Sequence, residues 1–302
     1  MHSIQDASLT RRRLLQGAAG TLAAVAGGSV VGRAAQSPAP SAGPVVTKGR
    51  IKQSVCQWCY NPMPLETLAQ NAAAMGLRSI ELVEPEGWPI LKKYGLVCAL
   101  ANSHGFAHGF AHKEEHAMCI DNLKKQIDLC AEAKFPTVIT FSGYRKGLAD
   151  EVGLENAVQG LKQVIGYAEK KGINLCLEVL NSRVEVEMKG HPDYMCDHVE
   201  WAAEVCRRIA SPRMTFLFDV YHVQVMQGDI IARIKKYHQY IGHYHTAGVP
   251  GRNEIDDSQE INYPAVMKVI AETGYQGYVG QEFIPTRDPM QSLRAAVKLC
   301  DV

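Results

Sequence analysis

Short apolar runs alternate with segments of helical spacing along most of the chain, and this alternation constrains the fold more than any other feature. The predicted strands lie near 51–57, 78–82, 95–101, 137–141, 174–178, 214–219, 240–246 and 277–282. Between them, apolar residues recur three and four positions apart, as at Leu65, Leu68 and Ala72, which is typical of amphipathic helices. Strict alternation of strand and helix predicts parallel strands joined by right-handed crossovers.

Two architectures satisfy such an alternation, an open sheet and a closed barrel. An open dinucleotide-binding sheet needs a GxGxxG turn after its first strand, and the segment WCYNP at 58–62 is nothing like it. Eight strand–helix units in about 250 residues match barrel closure. The sequence therefore predicts an α/β fold, a (β/α)8 TIM barrel in a single domain. The loop from Asn102 to His116 is long enough to cover the mouth of this barrel.

The N-terminus is predicted to be an export signal that precedes the folded domain. The segment TRRRLL at residues 10–15 is followed by an apolar stretch, 17–31, without any acid or base, as in twin-arginine signals. Small residues around Ala34 suit cleavage by a peptidase, and retention as a membrane anchor is the alternative. This pattern predicts a signal peptide over residues 1–35, the twin-arginine machinery as a partner, and a periplasmic or exported location.

The remaining boundaries follow from composition. Residues 36–48 are rich in Pro, Ser and Ala and predict a flexible linker. Residues 49–302 are then the barrel domain. Barrels of this kind often pair, so a homo-oligomer is allowed, although no interface can be identified in the sequence.

Charge and cysteine content narrow the class of partner. The chain has 32 Lys and Arg against 31 Asp and Glu, whereas nucleic-acid-binding domains concentrate basic residues. A small molecule is therefore the expected partner, and nucleic acid is not. The nine cysteines are scattered over a chain large enough to form a core, so they predict no disulfide framework. Cys56 and Cys59 form a CxxC pair, but no second pair accompanies it, which argues against a zinc or redox role.

Four potential metal ligands, Glu178, Asp219, His245 and Glu282, stand at the ends of the last four predicted strands. Parallel strands are buried on both faces, so a charged residue is tolerated only where a strand leaves the core. The carboxyl ends of barrel strands meet at one face, where barrel enzymes keep their chemistry. One such carboxylate alone is commonly a helix cap. Three carboxylates and an imidazole at equivalent positions need a cation to be stable together.

The donor set also predicts the kind of ion. Oxygen-rich ligation with a single imidazole predicts one divalent metal, Mg²⁺ or Mn²⁺, with Co²⁺ and Zn²⁺ as alternatives. His243 precedes His245 by two positions and so faces the same way. His245 is nearer to the end of the strand and is the predicted ligand, with His243 packed behind it.

Glu178 and Glu282 come from the two ends of this half-ring and can flank a substrate. A cation that binds both oxygens of a hydroxy-carbonyl unit acidifies the adjacent C–H, and a carboxylate on each side can remove and return the proton. The two glutamates are the predicted acid/base pair, and plain ligation is the alternative. His222 and Arg252, on the loops that follow two of these strands, are predicted to contact the substrate, the arginine through a carboxylate. Asn181, at a similar strand end, is a third predicted substrate contact.

Four segments carry a resemblance to a known family: LEVLN at 177–181, FDVYH at 218–222, HYHTAGVPGRNE at 243–254 and GYQGYVGQEF at 274–283. Together they resemble the hydroxypyruvate isomerase branch of the xylose isomerase-like TIM-barrel sugar isomerase/epimerase superfamily. The resemblance extends from about residue 50 to the C-terminus. It implies a divalent metal, two glutamates as acid/base pair, and interconversion of hydroxypyruvate with tartronate semialdehyde.

The family's site residues are carried over by position. The metal ligands fall on Glu178, Asp219, His245 and Glu282, and the substrate contacts fall on His222 and Arg252. Some hydroxypyruvate isomerases have glutamine at the position of His245, whereas related ketose 3-epimerases have histidine. A ketose 3-epimerase or another sugar isomerase on the same metal site is therefore the alternative within the family.

Two alternative functions belong to other classes of protein. Metal-dependent endonucleases for abasic DNA share this superfamily, but they need an Asp-x-His pair after the seventh strand, where this chain has Arg252, Asn253 and Glu254. The other rival is an exported sugar- or metal-binding protein without turnover. The presence of both Glu178 and Glu282 favours the enzyme.

Overall fold

The alternation in the sequence corresponds to parallel strands connected by helices. The structure is a computed structural model that describes residues 43–302. The strands in this range are β1 (Lys52–Cys56), β2 (Ser79–Glu81), β3 (Thr137–Thr140), β4 (Asn174–Glu178), β5 (Met214–Asp219), β6 (Ile241–Thr246) and β7 (Tyr278–Gln281). The helices in this range are α1 (Leu65–Met75), α2 (Trp88–Lys93), α3 (His116–Ala133), α4 (Asp150–Lys171), α5 (Val199–Ile209), α6 (Val220–Met226), α7 (Ile230–Tyr237), α8 (Tyr263–Glu272) and α9 (Pro289–Leu299).

The strands are covered on both faces, which explains their apolar runs. In β4, the successive residues Leu175, Cys176 and Leu177 are all fully buried although they alternate between the two faces of the sheet. Helices α1 and α4 end at Gly76 and Gly172, whose φ angles of 97° and 73° are left-handed. These glycines let the chain reverse into the next strand. All nine cysteines are buried and free, as the sequence predicted.

The sheet closes into a barrel through a segment that is less regular than predicted. All strand pairs are parallel, in the order β2-β1-β7-β6-β5-β4-β3. The predicted third strand, 95–101, joins the two edges by isolated bridges, from Val97 to Ser79 of β2 and from Ala101 to Val138 of β3. The described residues therefore form the predicted TIM barrel, with two bridges in place of one regular strand.

Side-chain hydrogen bonds explain this irregular segment. The backbone N–H of Ala99 donates to Oγ of Ser79 over 2.9 Å, in place of a carbonyl of β2. The thiol of Cys98 donates to the carbonyl of Leu100 over 3.3 Å. Local side-chain bonds of this kind compete with the ladder of a sheet. Alternation of apolar residues cannot reveal them.

Two predictions fall wholly or partly outside the described residues. The export signal, 1–35, lies outside them, as does most of the linker, 36–48. The last residues of the predicted linker do contact the barrel, since the N–H groups of Val45 and Val46 both donate to the carbonyl of Met75. Residues of the predicted linker thus already pack on the barrel: Val45 is buried in its core, and the carbonyl of Gly43 accepts a hydrogen bond from Nη1 of Arg294 over 3.1 Å. Within the described residues, no helix has the length and apolar character that crossing a membrane requires.

The penultimate residue, Asp301, fixes this N-terminal segment. Its Oδ2 accepts the backbone N–H of Thr47 over 2.6 Å and that of Lys48 over 2.8 Å, while Oδ1 accepts the N–H of Gly49 over 2.8 Å. Because Thr47–Gly49 precede β1, these bonds lie at the amino-terminal ends of the strands. Burial opposes the charge of Asp301, but the backbone donors hold the pKa of this carboxyl below its usual value.

Asp301→Asn is expected to lower the free energy of unfolding by about 1.5–3 kcal/mol, the contribution of a hydrogen bond to a charged group. Both carboxylate oxygens accept N–H groups, so one amide NH₂ must face a donor. Because the folded-state pKa is lowered, this stabilisation is complete above the unfolded-state pKa of about 3.9 and is lost as pH falls through the folded-state value. Urea unfolding of both proteins at pH 7 and pH 3 measures it. Equal midpoints at pH 7 would contradict the role of Asp301.

Candidate active site

The four predicted metal ligands meet at the carboxyl ends of four neighbouring strands. Glu178 ends β4, Asp219 ends β5, His245 lies in β6, and Glu282 follows β7 by one residue. One potential ligand atom of each lies within 4.8 Å of the other three. Their exposed fractions are 6%, 0%, 0% and 3%, so the cluster is shielded from bulk water.

The three buried carboxylates of this cluster carry more negative charge than the neighbouring Arg252 and His245 balance. Burial and the neighbouring Glu282 raise the pKa of Glu178 to about 8. Burial also raises the pKa of Asp219, to about 7. Burial opposes the charge of Glu282 as well, but Arg252 and His245 hold the pKa of that carboxyl well below its usual value. A divalent cation between them would offset this concentration of negative charge.

The remaining donor atoms fit such a cation. Asp219 caps helix α6, since its Oδ1 accepts the N–H of Tyr221 over 2.8 Å. Its Oδ2 is buried and has no hydrogen-bond partner among the described residues, and Nδ1 of His245 faces the carboxylates, 2.9 Å from Oε2 of Glu282. Asp219 is therefore both a helix cap and a potential ligand. Three carboxylates and one imidazole suit a divalent ion that prefers oxygen ligands.

His222 is held so that its Nε2–H faces the cluster. Its Nδ1 accepts the backbone N–H of Asn181 over 3.1 Å, which places the proton of the neutral ring on Nε2. Burial lowers the pKa of His222 well below its usual value, so the ring is neutral. Nε2 lies 3.5 Å from Oδ2 of Asp219 and has no hydrogen-bond partner within residues 43–302. The Nε2–H group therefore points to the carboxylates, although His222 is fully buried.

Asn181 takes a different position from the predicted one. Its side chain is fully buried and donates to the carbonyl of Lys189 over 2.8 Å, while its Nδ2 lies 2.6 Å from Nδ1 of His222. It therefore supports His222 from behind. The sequence placed it at a strand end but could not show that its partner would be another site residue.

Arg252 reaches the cluster from the loop after β6, and it is not the exposed loop arginine that a Gly/Pro segment suggests. Only 3% exposed, it forms an ion pair with Oε2 of Glu282, lies 3.5 Å from Oδ2 of Asp219, and donates to the carbonyl of Met188 over 2.6 Å. Its guanidinium also lies 5.1 Å from the ring centre of Trp58. Much of its charge is thus used to hold the glutamate in place.

A cavity of about 490 Å³ opens onto the cluster. Glu178, Glu282 and Arg252 line one side of it. The loop 102–116 contributes Asn102, Ser103, Gly105 and Phe106 to the wall, so it does cover part of the mouth. Phe106 packs edge-on against His191, with ring centres 4.5 Å apart.

Sequence reasoning missed Trp58 and Glu81. Nε1 of Trp58 donates to Oε1 of Glu282 over 3.0 Å. Glu81 ends β2, is fully buried, and lies behind His245, whose Nε2 is 3.1 Å from its Oε2. His243 contacts the same oxygen, with its Nε2 at 2.6 Å. Glu81 stands at a strand end like the four ligands, and the same reasoning could have found it.

Cys56, Glu81 and His245 form a second group close enough to hold an ion. Its chemistry does not favour one. Burial raises the pKa of the Cys56 thiol well above its usual value, so it stays protonated and is a poor ligand. Nε2 of His245 is occupied by its hydrogen bond to Glu81. This group is better suited to orient the ring of His245.

The fold and site match one family of proteins. The family model described as "Xylose isomerase-like TIM barrel" matches residues 69–300. The chain therefore belongs to the xylose isomerase-like TIM-barrel family.

Within that family, the chain falls in the hydroxypyruvate isomerase-like branch. It is 25% identical over 241 residues to a human protein named as a hydroxypyruvate isomerase, covering 78% of this chain and 80% of that protein. It is 31% identical over 128 residues to a 2-oxo-tetronate isomerase of Cupriavidus necator, covering 42% and 46%. These relatives confirm the predicted enzyme class, an isomerase.

Solved structures confirm the fold. The structure described as AP endonuclease, family 2, from Brucella melitensis has a TM-score of 0.69 and 25% identity, over 80% of this chain and 97% of that one. D-psicose 3-epimerase from Clostridium cellulolyticum H10 has a TM-score of 0.68 and 14% identity, over 83% and 98%. The likeness to the epimerase structure, at 14% identity, shows the fold alone.

Proposed function

We propose that this protein is a metal-dependent isomerase that interconverts hydroxypyruvate and tartronate semialdehyde through an enediolate. The observation that carries the proposal is the pair Glu178 and Glu282, which line one cavity next to Asp219 and His245. The relatives named as hydroxypyruvate isomerases support this reaction. A divalent ion held by these four residues would polarise both oxygens of a hydroxy-carbonyl unit and so acidify the adjacent C–H.

The chain's own residues then transfer the proton. One glutamate removes a proton from the hydroxymethyl carbon, and the other returns a proton to the neighbouring carbonyl carbon. The hydroxyl proton passes between the two oxygens, so the product has the same atoms as the substrate. We assign to Nε2–H of His222, which lies 3.5 Å from Oδ2 of Asp219, the role of donating to the oxygen that gains negative charge.

The two glutamates are held differently, which suits two roles. Glu282 accepts from Trp58 and forms an ion pair with Arg252, so it is fixed in its ionised form. Among residues 43–302, no side chain donates a hydrogen bond to the carboxylate of Glu178, and Nδ1 of His245 lies 3.8 Å from its Oε1. Glu282 is the better candidate for the base, and Glu178 for the group that returns the proton.

The size of the cavity also admits a second candidate, a ketose 3-epimerase or another sugar isomerase. If every non-hydrogen atom took the roughly 30 Å³ of a water molecule, hydroxypyruvate would fill about 210 Å³ and a six-carbon ketose about 360 Å³. The cavity of 490 Å³ has room for either. Asn102 and Ser103 on its wall could bind the additional hydroxyl groups.

Proton exchange in D₂O tests both candidates. Purified, Mn²⁺-loaded protein is incubated with hydroxypyruvate and with a panel of ketoses, and deuterium at the carbon next to the carbonyl is measured by NMR. Uptake into hydroxypyruvate with formation of tartronate semialdehyde is the expected result. Uptake into ketoses alone would favour the epimerase. No uptake into any compound would exclude the proton-transfer function and leave the non-catalytic sugar- or metal-binding protein.

A further inference from the structure

Glu81 connects β2 to the ligand strand β6 beneath the cluster. Its Oε2 lies 3.1 Å from Nε2 of His245, within hydrogen-bonding distance, and the side chains of both residues are fully buried. The thiol of Cys56 lies 3.6 Å from the same nitrogen. The inner edge of the His245 ring is therefore completely enclosed by protein.

Both nitrogens of His245 face a carboxylate, Nε2 that of Glu81 at 3.1 Å and Nδ1 that of Glu282 at 2.9 Å, so both can carry a proton until a cation replaces the proton on Nδ1. An ionised carboxylate can only accept, so a neutral ring that bonds Glu81 through Nε2 must carry its proton there. Nδ1 is then left with a lone pair. It faces the cluster and also lies 3.8 Å from Oε1 of Glu178. A neutral imidazole with a free lone pair is the form that binds metal ions.

We propose that Glu81 is a positioning residue of the metal site: it fixes the ring orientation and the tautomer of His245, so that Nδ1 is presented to the ion. This inference rests on the proposed metal-dependent function. A carboxylate on the far nitrogen of a ligating histidine also makes that ligand more basic, and loss of such a partner typically weakens metal binding by about 10–100-fold.

The position of Glu81 depends in turn on Gly280 of β7, which pairs with His245 in the sheet. A Cβ atom at Gly280 would lie 2.2 Å from Oε1 of Glu81 and 2.9 Å from Cδ2 of His245. Neither contact can be accommodated without movement. Gly280→Ala therefore displaces the carboxylate and the imidazole without changing any charge.

The test compares Glu81→Gln with a matched control. Glu81→Gln keeps the shape of the side chain but removes the charge and one acceptor oxygen. The control, Asp301→Asn, makes the same chemical change in a buried carboxylate at the opposite end of the strands. Mn²⁺ affinity is measured by calorimetry on the metal-free proteins, and stability by urea unfolding of the same samples.

Glu81→Gln and Gly280→Ala should each weaken Mn²⁺ binding by about 10-fold or more. Asp301→Asn should lower the unfolding midpoint and leave the affinity unchanged. A second measurement follows the ring directly: ¹⁵N NMR of histidine-labelled, Mg²⁺-saturated protein, with His245 assigned from a His245→Gln variant. It should show a proton on Nε2 and none on Nδ1 in the wild type, and a mixture of protonation states in Glu81→Gln.

Each other outcome overturns the positioning role. If the wild type binds Mn²⁺ and both site variants bind it equally well, Glu81 does not position the ligand, although the proposed function stands. If Glu81→Gln loses affinity only in proportion to its stability, its role is merely structural. If the wild type binds no divalent ion, this inference and the proposed function fail together.

Discussion

Replacing Glu282 with Gln is expected to abolish proton exchange between substrate and solvent, with a loss of about 10²–10⁴-fold in turnover, the usual contribution of a general base. The amide keeps the volume of the side chain and can still accept from Trp58, and Arg252 keeps Asp219 as a carboxylate neighbour, so the barrel should stay folded although the loss of the buried ion pair lowers its stability. What the amide cannot do is take a proton. Deuterium incorporation in D₂O, followed by NMR at saturating Mn²⁺, measures the effect.

A matched variant separates loss of the base from loss of the metal. Asp219→Asn also removes a carboxylate ligand, but Asp219 has no proposed part in proton transfer. Its turnover should recover as the Mn²⁺ concentration is raised, whereas that of Glu282→Gln should not. If Glu282→Gln exchanges protons at the wild-type rate when fully loaded, the acid/base assignment is wrong.

Replacing Arg252 with Met is expected to destabilise the metal-free protein by about 3–5 kcal/mol, the usual result of removing one partner of a buried ion pair. Arg252 lies against Glu282 and Asp219, and all three side chains are at most 4% exposed. Without the guanidinium, two buried carboxylates lose their nearest fixed positive charge. Urea unfolding with and without Mn²⁺ measures the loss.

Mn²⁺ should restore part of this stability, because the ion replaces the missing positive charge and binds only the folded protein. Arg287→Met is the control, since Arg287 also pairs with carboxylates on a neighbouring loop but its side chain is 58% exposed. An exposed pair contributes at most about 1 kcal/mol. Equal losses in the two variants would show that the buried pair has no special importance.

The barrel could be predicted from the sequence because its signal is local and repeated. Each strand has its own apolar run, and each helix its own period, so one irregular unit does not obscure the rest. The segment 95–101 shows the limit of this reasoning. Its apolar composition is that of a strand, but the hydrogen bond from Ala99 to Ser79 involves a residue 20 positions away and cannot be inferred from alternation.

The site residues likewise divide into those that the sequence could indicate and those that it could not. Glu178, Asp219, His245 and Glu282 could be proposed because position at the end of a strand is a property of each run alone. The partners of these residues depend on the folded chain. Arg252 pairs with Glu282 over 30 residues, and Glu81 reaches His245 over 164. The residue types in the sequence do not indicate contacts between positions so far apart in the chain.

The two bridges that close the barrel have a consequence for the cavity. A closed barrel has no free sheet edge, and β2 and β3 are the strands that would gain one if Val97 and Ala101 separated from them. The same segment leads directly into the loop 102–116 over the cavity. The segment that closes the barrel and the loop that covers the cavity are thus one continuous stretch of chain, so the closure of the sheet also fixes where the wall of the cavity begins.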